Sequence, residues 1–164
     1  MSLVKRLLII LFVLATCVGC DQSTKVFAES RLSGDQSISL LSNTIRLQIA
    51  HNEGSFLSLG ATASPVWRAA SLRIGVAAML LGLFAYALAA KSIGVVRVSA
   101  LALVFAGGAS NLIDRFVNDG YVVDFLNLGI GQIRTGIFNI ADVAITLGFL
   151  ILLAQSWRGQ RRDA

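Results

Sequence analysis

Gly136-Ile-Phe-Asn-Ile-Ala-Asp142-Val-Ala-Ile-Thr-Leu-Gly-Phe-Leu-Ile-Leu-Leu-Ala-Gln-Ser156 is an apolar run with a carboxylate near its mouth. As an α-helix rising about 1.5 Å per residue, it is long enough to cross a roughly 30 Å hydrocarbon core. Asn139 and Asp142 are three apart and therefore share a face of that helix. Three further apolar runs, over about 4–20, 67–90 and 95–113, have comparable length. The expected fold is an all-α membrane protein of four transmembrane helices in a single unit over 1–164.

Composition agrees. Hydrophobic residues make up 55% and charged residues only 14%, against about 25% charged in soluble domains. The net charge of +5 would suit nucleic acid, but many basic residues flank the apolar runs, where they act as topology signals. No nucleic-acid partner is expected. Lys5, Arg6, Lys91, Arg97, Arg158, Arg161 and Arg162 fall on one side of the membrane with a single acid, Asp163. The positive-inside rule makes that side cytoplasmic, with both termini on it. Asp124 and the mouth of the fourth helix then face the periplasm or cell exterior. Trp67 and Trp157 sit at span ends, as interfacial anchors do.

The N-terminus has a second reading. Lys5-Arg6, an apolar stretch and Cys17-Val-Gly-Cys20 resemble a lipoprotein signal peptide with Cys20 as the lipidated residue. Three more spanning runs follow, which favours a retained first helix. Cys17 and Cys20 read as small buried apolar residues. No Cys/His spacing points to a metal, and neither metal nor cofactor is expected.

The segment after the first span alternates from Thr44 to His51, with Ile45, Leu47 and Ile49 on one side. That is the pattern of a half-buried strand. A small sheet over about 38–60, lying on the membrane surface, is the expectation. Ser64-Pro65 can start the second helix. The small residues of the middle helices, including Gly107 and Gly108, read as helix packing.

Polar residues cluster where the spans end. Asp21-Gln-Ser-Thr-Lys25 closes the first, as an interfacial cap with a snorkelling lysine or as a pair across one turn. Asn52 and Gly54 follow the strand, and a turn explains them equally well. Asn111-Leu-Ile-Asp-Arg115 ends the third span, and a buried Asn111 would need partners. Asp124 precedes the fourth helix by a loop short enough to fold back onto Asp142. Two facing carboxylates at membrane depth would share a proton and activate water, as in aspartic proteases. The alternative is one interfacial aspartate and one helix-N-terminal aspartate favoured by the dipole. His51, the only histidine, reads as solvated or interfacial.

Taken in order, Asp21-Gln-Ser-Thr-Lys25, Asn52-x-Gly54, Gly108 through Asn111-Leu-Ile-Asp-Arg115, Val123-Asp124-Phe125 and Phe138-Asn139-Ile-Ala-Asp142 resemble the lipoprotein signal peptidase (signal peptidase II) family over nearly the whole chain. The resemblance implies a four-helix inner-membrane aspartic endopeptidase with a periplasmic β-cradle. It implies Asp124 and Asp142 as the catalytic pair. Asp21, Lys25, Asn52, Gly54, Asn111, Arg115, Asn139 and Ala141 then match positions that support the site or bind substrate and inhibitor. The implied partners are diacylglyceryl-modified prolipoproteins, cut just before the lipidated cysteine, together with membrane lipids and the inhibitor globomycin. Ser55-Phe56-Leu57 and Ser110 depart from the family pattern near the expected substrate groove. The rival reading is a non-enzymatic membrane protein whose polar cluster serves a proton or ion relay, or a lipid-binding factor.

Overall fold

The computed structural model describes residues 1–32, 36–54, 65–91 and 93–160. Four helices carry the fold: α1 (Leu3–Arg31), α2 (Pro65–Ala89), α3 (Val95–Val117) and α4 (Ile140–Gln160). All four are long and apolar enough to span a bilayer. Exposed leucine, isoleucine and phenylalanine side chains such as Leu8, Phe12, Ile74, Phe149 and Leu150 cover the outside of the bundle. Lipid, not water, is the solvent that suits that surface. The chain is a multi-pass membrane protein.

α3 is the inner helix, packed against the other three. Val98, Ala100, Leu101, Ala102 and Ala106 are buried along it. Small residues let the backbones approach, as expected from the sequence. A Cβ on Gly107 would collide with the Ala141 carbonyl oxygen of α4, and one on Gly108 would lie 2.6 Å from Leu80 of α2. Gly148 of α4 returns the fit, since a Cβ there would lie 2.6 Å from the Ala100 carbonyl oxygen.

One end of the bundle is basic. Ile10, Ala87, Ile93 and Val98 pack there. Buried Arg6 donates to the carbonyls of Ala87 at 3.3 Å and Leu88 at 2.9 Å, which have no intrahelical N–H donor at the end of α2. The opposite end carries the polar residues and an antiparallel sheet ordered β1 (Ser37–Leu40), β2 (Ile45–Asn52), β3 (Val122–Ile130) and β4 (Ile133–Arg134).

Three expectations change. The first helix does not stop at residue 20 but continues to Arg31, because the charges of Asp21 and Lys25 are neutralised by packing partners and do not have to reach water. The fourth helix starts at Ile140, not 136, because Phe138 exchanges backbone hydrogen bonds with Leu126 before the helix begins. The sheet is not confined to 38–60. Its central pair joins β2 to β3 across α2 and α3, with Ala50 opposite Asp124 and Asn52 opposite Val122. The expected β2 strand is present, with Leu47 and Ile49 packed on Ala28, Leu32 and Phe125. Pro65 opens α2 as anticipated. Cys17 is half-buried but Cys20 is exposed on the outer face of α1, so only the first approaches the expected burial. The departure at 55–57 lies outside the described residues.

Candidate active site

Lys25 lies at the centre of the polar end. Its ammonium is 2.6 Å from Asp21 Oδ2, 2.8 Å from Asp114 Oδ2 and 3.4 Å from Asn111 Oδ1. Three N–H donors therefore meet three acceptors. Asp21, Lys25 and Asp114 are buried, so each charge depends on the others to offset its lost hydration. The i,i+4 pairing of Asp21 and Lys25 is the one foreseen on α1. Snorkelling to the interface is not observed, because Asp114 comes from α3 to meet the lysine.

The two carboxylates of this ion cluster hold the backbone of two other elements. Asp21 Oδ1 accepts the Ala141 amide at 2.9 Å, one of the first-turn N–H groups of α4 that no intrahelical carbonyl can serve. Asp114 Oδ2 accepts the Val123 amide at 3.0 Å, next to Asp124 on β3. Ser110 donates to Asp21 Oδ2 at 2.7 Å, and Gln22 donates to Asp114 Oδ1 at 2.7 Å and to the Ser110 hydroxyl at 3.2 Å. Ser110, the departure foreseen near the groove, is thus a buried member of this network. Asp114, Ser110 and Gln22 were not among the expected site residues. The burial of Asp114 was hidden because its partners lie on α1 and β3.

Asn139 and Asp142 cap α4 reciprocally. The Asp142 amide donates to Asn139 Oδ1 at 2.9 Å, and the Asn139 amide to Asp142 Oδ2 at 3.2 Å. This is a capping-box geometry with Asn and Asp in the two roles. The cap also aims Asn139 Nδ2 inward, where it donates to Asp124 Oδ1 at 2.7 Å and Asn111 Oδ1 at 3.0 Å. Asn111 Nδ2 in turn donates to Asp142 Oδ1 at 2.9 Å. Asp124 and Asp142 are therefore joined through two asparagines.

Asp124 lies on β3, where the sequence reading assigns no strand. Its Oδ2 accepts Asn52 Nδ2 at 3.0 Å. The Gly54 amide donates to Asn52 Oδ1 at 2.9 Å and fixes which end of that amide faces the carboxylate. Gly54 has φ +75°, and a Cβ there would lie 2.9 Å from Leu72 Cδ1. Both the positive φ and the lack of space call for glycine. Burial pushes the Asp124 carboxyl up to about 6, and the Asp142 charge adds to the rise. The Asn52 hydrogen bond, the Lys25 charge and the Asn139 hydrogen bond oppose it.

Arg115 Nη1 donates to the Asn111 carbonyl at 3.2 Å, and its buried Nε has no hydrogen-bond partner among the described residues. His51 stacks on Tyr121 with ring centroids 4.2 Å apart. Among the described residues, no three His, Cys, Asp or Glu side chains form a group that could hold a metal.

All ten expected site residues converge on this end of the bundle. They divide by exposure. Asp21, Lys25, Asn111, Asp124, Asn139 and Ala141 are buried and bonded to neighbouring protein groups. Asp142 is half-buried and lines a cavity of about 580 Å³ with Thr135, Phe138, Val143, Thr146, Leu147 and Leu150. The cavity runs along α4 from the carboxylate into the spanning region. The arrangement joins a buried, hard-to-ionise carboxyl to a second carboxylate that opens on an apolar trough.

Known proteins resemble this chain over nearly its whole length. A lipoprotein signal peptidase of Moorella thermoacetica is 34% identical over 91% of this chain and 90% of its own length. One of Syntrophus aciditrophicus is 30% identical over 98% and 99%. A bacterial membrane enzyme solved by the in meso method at 1.9 Å superposes with a TM-score of 0.76 at 26% identity, over 92% of this chain and 91% of that one. A second, solved by the same method at 2.3 Å, superposes with a TM-score of 0.79 at 25% identity, over 98% of this chain and 92% of that one. The family described as signal peptidase (SPase) II matches residues 13–158, and with the fold in agreement, the chain belongs to that family of membrane peptidases.

Proposed function

We propose that this protein is an aspartic endopeptidase that removes the signal peptide from diacylglyceryl-modified prolipoproteins, cutting just before the lipidated cysteine. The observation that carries the reading is the pair of asparagine bridges from Asp124 to Asp142 beside an apolar trough. A cap alone accounts for Asn139 and Asp142. It does not account for a third element delivering a buried Asp124 to the same amide.

Asp124, the more buried acid, holds the shared proton at rest. Asp142, open to the trough, takes a proton from water as the resulting hydroxide attacks the scissile carbonyl carbon. Asp124 gives its proton to the carbonyl oxygen. When the tetrahedral species collapses, the C–N bond breaks, Asp142 passes its proton to the leaving amine and Asp124 recovers one from the hydroxyl oxygen. Asn111 and Asn139 keep the two carboxylates in register. Arg115 Nε, without a hydrogen-bond partner among the described residues, is a donor for the substrate backbone. Asn52 and Gly54 hold Asp124 from the sheet side.

The apolar part of the substrate occupies the trough along α4. The basic end of the bundle, with both termini, lies in the cytoplasm of a bacterial inner membrane, and the sheet and carboxylates lie on the periplasmic side. Lys5, Lys91, Arg97 and Arg158 at that end support the orientation. Globomycin is the expected inhibitor.

Purified protein in lipid vesicles should cleave a diacylated prolipoprotein and be blocked by globomycin. Asp124→Asn and Asp142→Asn should each abolish cleavage at normal protein level. Near-wild-type cleavage by either variant would remove the pair from the mechanism.

A further inference from the structure

The far end of the sheet is aliphatic in a place the peptidase chemistry does not use. Leu41 is 73% exposed, Ile130 80% and Ile133 85%. Leu40 and Leu128 are also exposed. These residues belong to two neighbouring hairpin tips. The Gly129 amide donates to the Thr44 carbonyl at 2.9 Å, and Arg134 Nη1 donates to the Asn43 carbonyl at 2.7 Å. The two turns therefore form one surface.

Lipid explains exposed aliphatic side chains on the four spanning helices. These tips lie outside the helices, where water would leave such a patch unfavourable. Two observations say what covers it. First, the patch is continuous with the lipid-facing side of α4. A cavity of about 680 Å³ between the tips is lined by Thr44, Leu128, Ile130, Ile133, Arg134 and Thr135. Thr135 also lines the trough that descends past Phe138 to Leu147 and Leu150. Second, Arg46 and Arg134 flank the aliphatic tips, both hydrogen-bonded within them. Cations beside an aliphatic wedge match a leaflet boundary, with acyl chains below and anionic headgroups around it.

We infer that the paired tips, Leu40–Leu41 and Ile130–Ile133, insert into the headgroup–acyl boundary of the leaflet next to the polar end and anchor the sheet to the bilayer. The anchor has a consequence for the site. Ile130 and Asp124 lie on the same strand, β3, six positions apart, or about 20 Å at the usual strand rise. A rigid strand held by lipid at one end sets the depth of Asp124 at the other. The contact requires membrane insertion and not peptidase activity, so its failure and that of the proposed reaction are separable.

The test uses a full-length Cys17→Ala/Cys20→Ala background with a nitroxide on Ile133→Cys, or separately on Leu41→Cys. The protein is placed without substrate in vesicles of phosphatidylethanolamine and phosphatidylglycerol. Each label is read for collisions with oxygen and with a water-soluble nickel chelate. The expected result at both sites is oxygen access several-fold above that of a label at exposed Glu29→Cys on α1, with nickel access correspondingly low. Water-like access at both tips overturns the anchor. Dipolar broadening between labels on different molecules also overturns it, because the tips would then be covered by a second copy.

Discussion

Asn139 donates its side-chain amide to Asp124 Oδ1 at 2.7 Å while its backbone amide donates to Asp142 Oδ2 at 3.2 Å. One residue at the head of α4 thus registers a carboxyl on the sheet against a carboxylate on the helix. Neither element sets that distance alone: the Phe138–Leu126 bridge, the packing of Ile140 on the cluster that holds Phe125 and this side chain join β3 to the head of α4.

Asn139→Ala keeps the helix but removes the side-chain half of the cap and the link to Asp124. Cleavage should fall by about 10²-fold or more through kcat, because small misplacements of reacting groups are that costly. KM should change less. A loss confined to KM would argue that Asn139 contacts substrate instead.

Lys25→Met leaves Asp21 and Asp114 buried without their cation. Breaking one side of a buried ion cluster costs about 3–5 kcal/mol, so the thermal midpoint in detergent should drop clearly. Lys25→Met combined with Asp114→Asn should recover part of that loss, which a simple packing defect would not.

Gly54→Ala tests the sheet-side support. The positive φ and the contact with Leu72 both oppose a methyl group. Its expected cost is about 1–3 kcal/mol, and the displaced Asn52 should lower activity further. Asn52→Ala should lower activity with a smaller effect on the midpoint, as measured by parallel melting and cleavage assays.

The pH dependence follows from Asp124. Its folded value of about 6 lies above the ordinary value of 3.8. Between these limits the folded protein binds more protons than the unfolded one, so this group makes stability fall as pH rises from about 4 to about 6. Asp124→Asn should melt increasingly higher relative to wild type across that window and keep a constant difference above it. A difference that does not vary with pH would mean the carboxyl is not held protonated by its surroundings.

Gly107→Val probes the approach of α3 to α4. A side chain there meets the Ala141 carbonyl oxygen and Ile145. Overpacking of this kind costs about 1–3 kcal/mol, and because Ala141 neighbours Asp142, cleavage should fall more steeply than the midpoint. Equal losses would mean that the helix contact does not position the carboxylate.

By itself the chain determined the four spans, the β2 strand and the identity of the residues that gather at one end. Those features depend on local quantities. Twenty or so apolar residues span a bilayer wherever they fold, and the alternation of Ile45, Leu47 and Ile49 is a property of the segment alone. Tertiary structure decided the rest. α1 runs on to Arg31 because Asp114 and Asn111 arrive from α3 to satisfy Lys25. Residues 122–130 form a strand because β2 supplies their hydrogen-bonding partner across two intervening helices. Asp124 meets Asp142 only where Asn139 and Asn111 close the gap. A buried charge is stable or ruinous according to neighbours far away in sequence, and that is why the aspartates could be named from the sequence while the network holding them could be read only in three dimensions.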